Sequence, residues 1–262
     1  MYKHLAWLTD FSPHSALCIE PVCALARVYN ASVSVVHALS GLEGLRLVAE
    51  EQLQGVAEQL RAHGLEVETR LEMGSPTDVA RDPRADLLVV GRTGKTGLVD
   101  RLLVGSTAGR ILRESPSDVL LVTGRPFSKL SSVLCALEPA QEGEEDANET
   151  ARCAAELAIL SGASCTFLSV FPYIETVDSE AEVASLHESV KAALGDADFD
   201  RIQATFEVGY APSPEAGILD VARKHDLVVM GHRQQSRLVQ AVWGSVTREV
   251  EERGPVPVLV AR

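Results

Sequence analysis

At 262 residues the chain is too long for one ordinary compact domain and suits two. It is 46% apolar and 23% charged, enough to bury full cores, and no apolar run approaches the ~20 residues needed to cross a bilayer. A net charge of -13 with no basic stretch argues against nucleic acid as a partner, because an acidic surface repels the polyanion.

The opening residues MYKHLAWLTDF have too short an apolar run before Asp10 to form a signal peptide, so a cytoplasmic location is expected. Lys3–Thr9 reads as the first strand. Ser12-Pro13 supplies an N-cap followed by a proline tolerated at the first helical position, and the helix is expected to reach Tyr29, with Asn30 left-handed beyond it. Ser32–Ala38 is the second strand. A helix near Leu45–Ala62 places Leu47, Val48, Leu53, Val56 and Leu60 at mostly three- and four-residue steps, which predicts an amphipathic element. Strands follow at Leu65–Leu71, Asp86–Val90 and Val119–Val122, the last after a helix opened by Gly105-Ser106. Arg125–Lys129 (RPFSK) reads as a joint. The acidic run Glu138–Glu149 is expected to be a loop between strand and helix, and Asp178–Asp200, with His187, a solvated helical face.

The second half repeats the first. Asp86–Gly91 (DLLVVG) matches Asp226–Gly231 (DLVVMG), and Leu103–Ser106 (LVGS) matches Val242–Ser245 (VWGS). Asn30–Ala38 matches Gly162–Val170, and the first strands align Asp10 with Glu138. The landmarks keep their order while their offset drifts, as expected of a duplicated unit with insertions in its connections. Near-continuous apolar strands alternating with helices imply a parallel sheet covered on both faces. The expected architecture is α/β, with two tandem domains at 1–124 and 130–262, each an open five-stranded parallel sheet with helices on both faces.

The five cysteines form no C-x-x-C, and four lie in apolar patterns, so reduced buried thiols are expected. The seven histidines have no metal-ligand spacing. Gly94-Lys95-Thr96 resembles the end of a Walker A loop, but Val89 stands where its first glycine belongs, so that reading fails. What converges at the carboxyl ends of the strands is Asp10, Gly91, Gly94 and Gly105-Ser106. Glycines admit a phosphate close to the backbone, and a helix N-terminus offers unpaired N–H groups. Arg92 and Lys95 stand on the same loop. Each of these residues also has a bland reading: Gly91 and Gly231 as strand ends, the Gly-Ser pairs as helix caps, Asp10 as a local cap, His37 as a core histidine.

The order strand, G-x-x-G, loop, G-[ST], helix, strand, with an early strand ending in Asp, resembles the universal stress protein family over essentially the whole chain. The resemblance implies the adenine-nucleotide α-hydrolase-like fold and binding of ATP, ADP or AMP, with a magnesium ion recruited by the phosphates. Carried over residue by residue, it implies Thr9, Asp10, Ala38, Gly91, Arg92, Gly94, Gly105, Ser106 and Thr107 in the first half, and Gly231, Gly244 and Ser245 in the second. Ten residues separate Gly94 from Gly105 where the family has nine; in the second half Gln234 replaces a glycine and Glu138 replaces the Asp. The resemblance further implies that the two domains pair through Val119–Val122 and Val258–Ala261, with a homodimer possible beyond that. No nucleophile, base and orienter can be read from the motifs, so little or no turnover is expected. The rival expectations are a nucleotide-hydrolysing enzyme of the same fold and a structural tandem that binds nothing.

Overall fold

Apolar runs bounded by caps and glycines become the strands of two units, Met1–Val122 and Thr123–Arg262. The computed structural model describes residues 2–39, 45–91, 107–138, 145–175, 177–232 and 255–262, the side chains of 145–147 excepted. Arg92, Gly94, Lys95, Gly105, Ser106, Gln234, Gly244 and Ser245 lie outside the described residues.

In the first unit the chain runs β1 (His4–Leu8), α1 (Pro13–Ala16), α2 (Ile19–Tyr29), β2 (Ser32–Leu39), α3 (Arg46–Ala62), β3 (Val67–Met73), α4 (Pro76–Arg81), β4 (Leu87–Gly91), α5 (Thr107–Glu114) and β5 (Asp118–Val122). The strands are parallel, in the order β3-β2-β1-β4-β5. Consecutive residues of β1, β2, β4 and β5 are buried, as both faces of a covered sheet require. Chain order reverses between β1 and β4, which makes the carboxyl ends of these two strands the switch point.

Two helices differ from expectation. Ser12 caps α1 by accepting the Ser15 N–H, and Asn30 ends α2 in the left-handed conformation, but the stretch between them is broken at Leu17-Cys18. Pro21 is the cause. It has no N–H to give the Leu17 carbonyl, and its ring would collide with it. In α3 the sheet-facing stripe is Ala49, Leu53, Ala57 and Leu60, while Leu47 and Val48 are exposed. Alanines let the helix lie close to β2 and β3, so the stripe is rotated from the one that apolar size alone picks out.

The second unit contains β6 (Ser132–Ala136), α6 (Glu145–Ser161), β7 (Ser164–Pro172), α7 (Ser179–Leu194), α8 (Asp196–Phe199), β8 (Gln203–Ala211), α9 (Pro214–Ala222), β9 (Leu227–Gly231) and β10 (Val258–Ala261). Its strands are parallel in the order β8-β7-β6-β9-β10. The end of the acidic run is already helical, since α6 starts at Glu145. The expected joint is packed into this unit: Phe127 and Leu130 are buried, and the Arg125 N–H donates to the Pro255 carbonyl at 2.9 Å. His187 does more than face solvent. Its ring meets Phe199 and Phe206 edge-on, at 5.1 and 5.0 Å.

Both units explain why an aspartate opens the fourth strand. Asp86 Oδ2 accepts the N–H groups of Lys3 and His4 at 2.7 and 3.0 Å, and Asp226 Oδ2 accepts those of Ser131 and Ser132 at 2.9 and 3.0 Å. The carboxylate thus fastens the start of the first strand to the start of the fourth. Asp226→Ala should cost about 2 kcal/mol in urea unfolding, and the more exposed Asp86→Ala less, because water replaces part of each lost bond. A change below about 0.5 kcal/mol in both would show that the clamps are redundant.

Candidate functional site

The β1/β4 switch point is built outward from Thr9. Register pairs Leu8 with Val90, so Thr9-Asp10 and Gly91 are the next residues on the two strands. Thr9 is buried and bonded through its N–H, its carbonyl and its hydroxyl oxygen. Its N–H donates to Val36 O at 2.9 Å, its carbonyl accepts His37 Nδ1–H at 2.8 Å, and its Oγ1 accepts Phe11 N–H at 3.1 Å and Ser15 Oγ–H at 2.9 Å. His37 is half-buried rather than a core histidine, and its Nδ1–H is spent on this backbone carbonyl.

Asp10 is exposed. Its Oδ1 accepts the Ser12 N–H at 3.0 Å, a local turn bond, and its second oxygen has no partner among the described residues. Phe11 next to it adopts φ 59°, a conformation that costs a non-glycine residue on the order of 1 kcal/mol. The ring of Phe11 lies 4.4 Å from that of His37, tilted by 30°, and this contact helps hold the strained turn. Ala38 ends up near the close of β2, opposite Glu72 of β3.

Gly91 closes β4, and its lack of a side chain has a local reason. A Cβ there would stand 3.0 Å from Ser15 Cα and 3.1 Å from the His14 carbonyl oxygen, so α1 rests directly on this backbone. The space a side chain would take is filled by α1. Thr107 begins the described part of α5, partly exposed. Thus Thr9, Asp10 and Gly91 are brought together, with Ala38 on the adjoining strand. Sequence reasoning missed Phe11, Ser15 and the seat of α1; the Ser12-Pro13 cap was the one signal that could have led to them.

In the second unit Ser169 does the work of His37, donating to Leu137 O at 3.2 Å, and Leu137 N–H donates to Leu168 O at 2.9 Å. Gly231 closes β9 opposite Ala261. Among the described residues this unit has no counterpart of α1.

Burial disfavours the thiolate form of the buried cysteines. Burial, reinforced by the Asp10 charge, raises the Cys18 thiol far above its usual range; burial raises Cys135 likewise and pushes Cys165 up to about 12. None of the five cysteines is in a disulfide, and Cys18, Cys23, Cys135 and Cys165 are buried. Among the described residues no group of three His, Cys, Asp or Glu could hold a metal ion.

α5 is braced by α4. Arg81 contacts Asp78 at 2.7 Å and Glu114 at 2.6 Å, and Arg110 reaches Glu114 at 3.7 Å. Asp78 also closes a capping box with Ser75. Hydrogen bonds from the Ser75 hydroxyl and N–H, with help from Arg81 and Arg110, hold the Asp78 carboxyl below the usual aspartate value near 3.9. A value lower in the folded than in the unfolded chain stabilises the fold above about pH 4, and that contribution fades as pH falls through the folded value. Asp78→Asn should therefore melt below the wild type at pH 7, with the gap closing toward pH 3. A gap that stays constant across a pH series of thermal melts contradicts this.

The model of the universal stress protein family matches residues 1–123 and again 132–262. A Staphylococcus epidermidis protein assigned to the universal stress proteins is 30% identical over 140 residues, covering 46% of this chain and 84% of that one. Among solved structures, a universal stress protein from Archaeoglobus fulgidus superposes with a TM-score of 0.79 at 19% identity, over 99% of this chain and 96% of its own. A Pseudomonas aeruginosa structure assigned to the same proteins reaches 0.69 at 16% identity, over 99% and 93%. At these identities the two structures speak for the fold alone.

Proposed function

The chain belongs to the universal stress protein family, and from that premise we propose that it is a stress-response regulator whose first unit binds ATP or a related adenine nucleotide with little or no turnover. The observation that carries this reading is the half-used carboxylate of Asp10, exposed at the β1/β4 switch point beside a strained turn. Ribose hydroxyls are donors, and a carboxylate oxygen without a partner among the described residues is the acceptor they need. The base would border the Ala38 backbone. The phosphates would extend past Gly91 toward Arg92, Gly94, Gly105, Ser106 and Thr107, where glycine backbone and a helix start favour an anion. A magnesium ion, if present, would be held by the phosphates.

The two family modules are assigned to 1–124 and 130–262. The second, with Gly231, Gly244 and Ser245 but also Gln234 and Glu138, is the weaker site. Glutamate reaches one methylene further than aspartate, and a glutamine side chain stands where bare backbone should meet phosphate. Mass spectrometry of small molecules released from the purified protein should find an adenine nucleotide, and equilibrium dialysis with labelled ATP should show saturable binding. Absence of both at millimolar nucleotide rules the proposal out. Phosphate release should not exceed that of a Gly94→Asp variant; release well above it would make the protein an enzyme.

A further inference from the structure

The amino ends of β1, β2 and β3 lie at the opposite rim of the first sheet from the crevice. His4 faces Ser32 across β1 and β2, and Ser34 faces Glu68 across β2 and β3. Alternation puts all four side chains on one face of the sheet. His4 Nδ1 is 2.7 Å from Ser32 Oγ, His4 Nε2 is 2.5 Å from Ser34 Oγ, and Ser34 Oγ donates to Glu68 Oε1 at 2.5 Å.

The protons in this chain are assigned by elimination. An ionised carboxylate only accepts, so the single hydroxyl proton of Ser34 goes to Glu68. The Ser34 oxygen must then accept from His4 Nε2–H. When His4 is neutral its one N–H is this Nε2–H, which also faces Glu68 Oε1 at 3.9 Å, and Nδ1 is left as a bare base facing the hydroxyl of Ser32. The other acceptor for that hydroxyl, the Lys3 carbonyl, is 3.4 Å away and already holds the Ser32 N–H at 3.1 Å. Ser34 is fully buried and serves as the orienter, whereas Ser32 is partly exposed and reachable.

We propose that Ser32 is an activated hydroxyl, with His4 as its base and Ser34–Glu68 as the orienting pair, that takes an acyl group from an activated ester. Ser32 Oγ attacks the ester carbonyl carbon as its proton moves to His4 Nδ1. The tetrahedral adduct collapses, the bond to the leaving oxygen breaks, and that oxygen departs with the electron pair and the proton from His4. The product is an ester on Ser32. The neighbouring N–H groups of Lys3, His4 and Ser32 are already committed to Asp86 and the Lys3 carbonyl, so none is left to stabilise an oxyanion. Acylation should therefore be slow and stoichiometric.

The duplication supplies an internal control. Ser164 opens β7 as Ser32 opens β2 and makes the same 3.4 Å bond to a carbonyl, that of Ser131, but its register partner is Ser132 in place of a histidine. Ser164 is also the more exposed of the two. The full-length protein treated with p-nitrophenyl acetate and mapped by tandem mass spectrometry should carry acetyl on Ser32 at about 10-fold or more the occupancy of Ser164, short of the ~10²–10⁴-fold of a positioned base because no donor is left for the oxyanion. His4→Gln should remove that advantage and Glu68→Gln should reduce it. Equal occupancy of the two serines in the wild-type protein, or an advantage that survives His4→Gln, overturns the proposal. The wild-type comparison decides by itself, because both serines sit in one folded molecule.

Discussion

Trp7→Ala is expected to destabilise the first unit by about 3–5 kcal/mol, a large part of the ~5–15 kcal/mol that holds an ordinary domain together. Trp7 is 1% exposed on β1, in register with Val35 and Val89, so its removal opens a cavity in the packed core of this unit. Its buried Nε1–H has no acceptor at hydrogen-bond distance among the described residues. That orphan donor makes Trp7→Phe informative. Phenylalanine keeps most of the aromatic volume and removes the unsatisfied group, so its cost should stay within about 1.5 kcal/mol. Urea unfolding followed by circular dichroism reads both variants. If Trp7→Ala costs less than about 1 kcal/mol, the core collapses around the gap more easily than its packing suggests.

Gly91→Val should have the second-largest effect, and it acts on stability and binding together. Its new side chain would push against the backbone of His14 and Ser15, which cannot swing away as a side-chain tip can. Overpacking of this kind costs about 1–3 kcal/mol. Displacing α1 also breaks the Ser15–Thr9 bond and shifts the Asp10–Ser12 turn. On the proposed nucleotide reading, ATP affinity should fall on the order of ten-fold, equivalent to about 1.4 kcal/mol. Calorimetric titration and thermal melts of the same samples separate the two consequences. Lost stability with unchanged affinity would place the nucleotide away from this strand end.

Much of this architecture was legible in the sequence. The apolar runs marked the strands to within a residue or two, Ser12-Pro13 marked the start of α1, and Asn30 marked the end of α2. Caps, turns and strand character depend on neighbours a few residues away, so the local text carries them. The duplication was legible for the same reason, as a pattern laid out twice. The aspartates at 86 and 226 belong to that pattern, but their partners stand at the start of each unit's first strand, 83 and 95 positions back in the chain. The break before Pro21 is readable in principle from its missing N–H, but the Ser12 cap and the Asn30 terminus also fit one long helix.

The sequence by itself determined an α/β chain of two similar halves, with glycines and an acid gathered at strand ends. Only the tertiary structure decided that Gly91 is small because α1 rests on it, that one oxygen of Asp10 is spent on a turn, and that His4, Ser32, Ser34 and Glu68 form one hydrogen-bonded row. The physical reason is that a parallel sheet joins residues separated by whole helices, 28 positions from His4 to Ser32 and 34 from Ser34 to Glu68. Strand order and register make those meetings, and no local spacing encodes either.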